Sequence, residues 1–88
     1  MAYTVRVVPS AFKNLARLPG KVGEKISRKI DSLAGDPFPP GAVKLAGAKG
    51  DLFRIRTGDY RIICQVKESV LLVLVAKVGP RKDIYRRL

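Results

Sequence analysis

Three arginines within ten residues set the chemistry open to this sequence. The stretch "FRIRTGDYRI" (53–62) places Arg54 and Arg56 two apart, a strand-like spacing, and Arg61 just past a Gly-Asp pair. Asp59 is the only acid among them. Guanidinium groups stay charged and donate paired hydrogen bonds to phosphate or carboxylate, so a cluster of them can hold an anion or stabilise developing negative charge. Composition narrows the chemistry further. With no histidine in the chain, an imidazole acid–base pair and a histidine metal site are both ruled out. Cys64 is the only cysteine, which excludes an intrachain disulfide and a multi-cysteine zinc site. Asp51, Asp59 and Asp83 are too scattered to argue for a metal pair. Neither a metal nor a cofactor is expected.

Parity says how the arginines are placed. With Gly58-Asp59 as a two-residue hairpin turn, Thr57 pairs with Tyr60, Arg56 with Arg61, and Arg54 lies opposite Ile63. Phe53, Ile55, Tyr60, Ile62, Cys64 and Val66 then point to the other face, where helices can cover them. Cys64 reads as a small core residue. Taking Lys67-Glu68-Ser69 as a three-residue loop puts Lys77 on the arginine face, whereas a two-residue loop would bury it at a cost. Like charges directly opposed destabilise a sheet, by an amount within the ~0.2–1 kcal/mol scale of cross-strand pairs, so a bound anion is the expected compensation. A solvated sheet face is the plainer reading.

The elements that must position this hairpin are legible in outline. "YTVRVV" (3–8) is β-branched and reads as a first strand. Pro9-Ser10 opens a short helix with Phe12, Leu15, Ala16 and Leu18 on one face, and Pro19-Gly20 breaks it. A second helix is expected from about Lys21 to Leu33, with Val22, Ile26, Ile30 and Leu33 at helical period. Residues 36–50, "DPFPPGAVKLAGAKG", read as a long functional or mobile loop. Strands follow at about 51–57, 60–66 and 70–78, the last apolar almost throughout and so central. The order β-α-α-β-β-β describes an α+β sandwich. Two helices pack on one face of a small, mostly antiparallel four-stranded sheet, and a short basic C-terminal helix or tail follows.

The 88 residues suit a single domain, 1–88. Eighteen Lys+Arg against seven Asp+Glu give a formal charge of +11, a field that favours nucleic acid, a ribosome, an anionic membrane surface or an acidic protein. The N-terminus lacks the apolar core of a signal peptide. The longest apolar run, "VLLVLVA" (70–76), is far short of the ~20 residues of a spanning helix. A cytoplasmic protein with no membrane partner is expected. In "VGPRKDIYRRL" (78–88), a helical turn would put Arg81 and Tyr85 on one face, beside the Arg56/Arg61 pair. A positive cleft with a tyrosine at its rim can bind a phosphate and stack a base.

On "YTVRVVPSAFKNLARLP", "LFRIRTGDYRIICQV" and "VLLVLVAKVGPRKDIYRRL", the chain resembles the RelE family of toxins within the RelE/ParE superfamily. The resemblance implies a microbial-RNase-like fold and a metal-independent, ribosome-dependent mRNA interferase. Such a toxin cuts mRNA in the A site of the small ribosomal subunit, with the RNA 2′-hydroxyl as nucleophile. It also implies a cognate acidic, RelB-like antitoxin, with operator DNA bound only through the toxin–antitoxin complex.

Arg61 and Arg81 match the family's phosphate-binding and transition-state-stabilising arginines, and Tyr85 matches its C-terminal nucleotide-orienting tyrosine. Arg54 and Arg56 match basic positions that are lysines in some members, one of them proposed as general base. Arginine is a poor base, so here either electrostatics and orientation suffice or another base exists. Pro80 stands where many members have histidine. Lys77, Lys82, Arg86 and Arg87 are expected to meet RNA or rRNA phosphates.

Some roles stay open between two readings. Arg54 and Arg56 serve either the reaction or rRNA contact, and Tyr85 either stacks a base or packs on the sheet edge. The helix cations Lys13, Arg17, Lys21, Lys25, Arg28 and Lys29 read as solvent-facing charge, with contact to rRNA or the antitoxin as the other use. Two rival functions share the +11 charge. One is a ParE-like inhibitor of DNA gyrase, and the other is a silent nucleic-acid or ribosome-binding module.

Overall fold

The computed structural model describes residues 2–45 and 52–81. In chain order the elements are β1 (Thr4–Val7), α1 (Pro9–Ala16), α2 (Gly20–Ser32), β2 (Val43–Lys44), β3 (Leu52–Thr57), β4 (Tyr60–Lys67), a 3-10 turn (Glu68–Val70) and β5 (Leu72–Pro80). Pro9 opens α1 in its first turn, where a missing N–H costs no helix hydrogen bond. The apolar stripe of α2 does what its period requires, since Ile26 and Ile30 are buried together with Leu33 at the helix end. These side chains and Ala11 of α1 meet Ile55, Ile62, Cys64, Val66, Val73, Val75 and Val78 of the sheet in one core. Both helices therefore cover the same face.

The sheet has five strands in the order β1-β5-β4-β3-β2, which corrects the four expected from the sequence. The added strand, Val43–Lys44, lies in the stretch read as loop, and pairs antiparallel with β3 through Val43–Arg54 and Lys44–Phe53. Two residues are too few to display an alternating pattern. Their strand character comes from how the preceding segment is pinned. Pro37 and Pro39 are buried, Phe38 meets Phe53 edge-to-face at 4.9 Å, and Ala42 N–H donates to Pro39 O at 3.0 Å. β1 joins β5 in parallel, while the β2–β3, β3–β4 and β4–β5 pairings are antiparallel. β5 lies inside the sheet, between β1 and β4, as its apolar run indicates.

The hairpin register agrees with the parity argument, pairing Thr57 with Tyr60, Arg56 with Arg61 and Arg54 with Ile63. The following turn does not. Residues 68–71 make the connection, with Leu71 at φ 50°, and Lys67 ends β4 opposite Leu72. That register alone would carry Lys77 to the helix side. A β-bulge corrects it: Cys64 faces Val75 while Ile63 faces Lys77, so Ala76 is the extra residue. Val73 and Val75 stay in the core, and Lys77 moves to the arginine side.

Candidate active site

Arg54 and Arg56 of β3, Arg61 of β4 and Arg81 after β5 line one cleft of about 540 Å³, together with Gly41 and Val43. Each guanidinium arrives by a different route. Arg54 and Arg56 alternate along β3 on the face away from the helices, and Arg61 joins them as the direct partner of Arg56. Arg81 is brought in by main chain, because its N–H donates to Asp59 O at 3.1 Å across the hairpin turn. β2 supplies the wall through Val43. Among the described residues, no acidic side chain lines the cleft.

Arg61 is the anchored member. Only 4% of it is exposed, and Nη1 donates to Gly58 O and Tyr60 O, both at 3.1 Å. The hairpin turn thus serves twice. Gly58 takes φ +61°, a value glycine adopts without strain, and its carbonyl holds the arginine three residues on. Arg56 and Arg81 are exposed and Arg54 is half-buried, so the cleft pairs a fixed cation with more accessible ones.

Four of the residues singled out from the sequence therefore come together. Lys77 does not line this cleft, although register puts it on the arginine side. It borders a separate groove beside α1, with Asn14, Arg17 and Tyr60. Tyr85, Lys82, Arg86 and Arg87 lie outside the described residues, as does the expected C-terminal helix or tail. Sequence reasoning missed Gly41 and Val43. The only available signal was a β-branched residue just after a Pro-Pro-Gly turn. Among the described residues no group of three or more His, Cys, Asp or Glu side chains could hold a metal ion, and no helix is long and apolar enough to cross a membrane.

The fold is that of a small toxin class, and residues 5–85 match the family described as the ParE toxin of the type II toxin–antitoxin system parDE. The chain belongs to the RelE/ParE superfamily of such toxins. It is 31% identical to toxin RelG of Mycobacterium tuberculosis over 91 residues, covering 99% of this chain and all of that protein. The toxin in the archaeal RelE–RelB complex of Pyrococcus horikoshii superposes with a TM-score of 0.81 at 32% identity, covering 92% of this chain and 97% of that one. In the intact Escherichia coli RelBE toxin–antitoxin complex the values are 0.76 and 27%, covering 90% and 96%.

Proposed function

We propose that this toxin is a ribosome-dependent mRNA interferase of the cytoplasm. The observation that carries the reading is the convergence of Arg54, Arg56, Arg61 and Arg81 on one acid-free cleft. In such a reaction the RNA 2′-hydroxyl loses its proton to solvent as its oxygen attacks the neighbouring phosphorus to close a 2′,3′-cyclic phosphate. The bond to the 5′-oxygen breaks and that oxygen takes a proton from solvent, and negative charge builds on the phosphoryl oxygens between those events. Arginines aimed at that charge lower the barrier, and losing one such donor typically costs about 10²–10³ in rate. Arginine as a residue type makes a poor base, so the reading gives the four charge stabilisation and leaves alignment of the 2′-hydroxyl to the ribosome. Tyr85 is assigned to orienting the target nucleotide. Lys77, Lys82, Arg86 and Arg87 are assigned to RNA or rRNA phosphates.

The partner follows from charge and kinship. Solved relatives include RelE–RelB toxin–antitoxin complexes. A chain of formal charge +11 calls for an acidic neutralising segment, and operator DNA would be met only through the complex. The family match to ParE supports a second reading, inhibition of DNA gyrase. Retention of Arg61 and Arg81 favours the nuclease. The deciding experiment is primer extension on mRNA incubated with purified protein, with and without programmed ribosomes, beside Arg61→Ala. Ribosome-dependent cuts in the A-site codon that fade in the variant are expected. No cut under either condition, with loss of gyrase supercoiling, would move the assignment to the ParE function.

A further inference from the structure

A second groove lies between α2 and the end of β3, with a volume of about 430 Å³, lined by Lys25, Arg28, Lys29, Ser32, Arg56 and Thr57. The α2 members fall at spacings of three, one and three residues, so they form one helical face beside the stripe that enters the core. Cations near a helix C-terminus also serve the helix dipole, but that need does not explain Arg56 across the groove. Among the described residues, no acidic and no apolar side chain lines it. Arg56 is the informative residue, because it lines this groove and the arginine cleft alike. At the same end of β3, Thr57 Oγ1 is buried with no hydrogen-bond partner.

We propose that this groove is a second phosphate subsite, through which single-stranded RNA held in the arginine cleft continues over Arg56 onto α2. The inference rests on the reading that the cleft binds RNA. Two acid-free cationic concavities joined through one arginine suit a ligand that carries charge at regular intervals, as a phosphodiester chain does. A docking peptide would need apolar anchors, and the groove offers only the methylene stems of its cations. Its fit to an acidic peptide is correspondingly poorer.

The test is fluorescence anisotropy of the full chain with labelled RNAs of about 4 and about 12 nucleotides, within the range of single-strand site sizes, over a salt series. Lys25→Gln/Arg28→Gln removes two exposed charges. The slope of log affinity against log salt on the longer RNA should fall by about 1.4, from about 0.7 per lost phosphate contact, and binding of the short RNA should not change. Lys25→Gln alone should lower the slope by about 0.7. Unaltered thermal melting certifies the fold of each variant. An unchanged slope on the longer RNA overturns the proposal, as does equal weakening on both lengths. Loss of an acidic peptide probe without a change in RNA slope reassigns the groove and overturns it too. A-site cleavage by a wild-type protein whose longer RNA binds no better than the short one would sink this subsite and leave the interferase standing.

Discussion

The main-chain N–H of Arg81 donates to the carbonyl of Asp59 at 3.1 Å, fastening the end of β5 to the turn between β3 and β4. The bond uses no side chain of Arg81, yet it delivers that side chain to the cleft holding Arg61. Position and chemistry can therefore be separated. Arg81→Ala keeps the N–H and loses the guanidinium. Because Arg81 is exposed, stability should change by no more than about 0.5 kcal/mol. Ribosome-dependent cleavage should fall about 10²-fold or more. Equilibrium urea unfolding and primer extension on one preparation check both halves. A matching loss in the two would make Arg81 structural.

Gly58 should couple turn geometry to Arg61. Its φ of +61° costs a residue with a Cβ about 1–2 kcal/mol, and a Cβ there meets nothing within 4 Å, so strain is the only penalty. Gly58→Ala should lower Tm by several degrees, and cleavage by more than that loss explains, since the Gly58 carbonyl anchors Arg61. Gly58→Asn, better tolerated at positive φ, should retain most of both. Scanning calorimetry beside the cleavage assay measures the pair, and full activity in a destabilised Gly58→Ala protein would uncouple turn from arginine.

The contrast between these two residues shows what the sequence could carry. The hairpin is legible because a Gly-Asp turn and strict alternation leave one register for Arg54, Arg56 and Arg61. The approach of Arg81 is not derivable from local pattern, since it depends on a main-chain bond between residues 22 apart, and family resemblance is what points to it. Burial of Arg61 is equally hidden: its acceptors are the carbonyls of Gly58 and Tyr60, which no side chain advertises. β2 escapes because two residues have no period. Loop-length parity puts Lys77 on the correct side for the wrong reason, because the bulge at Ala76 has no compositional signature.

That bulge yields a third prediction. Deleting Ala76 removes the extra residue, so the register of Cys64–Val75 runs on with Lys77 still opposite Ile63 and Val78 still opposite Ile62, each on the face it holds now. Stability is expected to change by no more than about 1 kcal/mol. Activity should persist, because Gly79 and Arg81 keep their places beside Arg61 and Asp59. Urea midpoints and cleavage by the wild type and the deletion variant decide it. A loss of about 3 kcal/mol or more would mean that the deletion drives Lys77 toward the core, and that alternation after Val75 does not set its face.

Cys64 makes alkaline pH informative. It is fully buried between the sheet and the helices, and burial pushes its thiol from 9.0 up to about 12. Folding therefore favours the protonated form, while the unfolded chain ionises from about pH 9. Above that pH the unfolded state binds fewer protons than the native state, so the contribution of Cys64 is complete below about 9 and is lost as pH rises toward about 12. Over that window the slope is at most about 1.4 kcal/mol per pH unit. Comparing the wild type with Cys64→Ala cancels the groups that the two proteins share. The difference in unfolding free energy between the two proteins should be flat from about pH 7 to about 9 and then shrink steadily. A constant difference across the window would mean that the thiol reaches solvent in the native state, and the same protein would then react with a thiol reagent at about pH 8 without first unfolding.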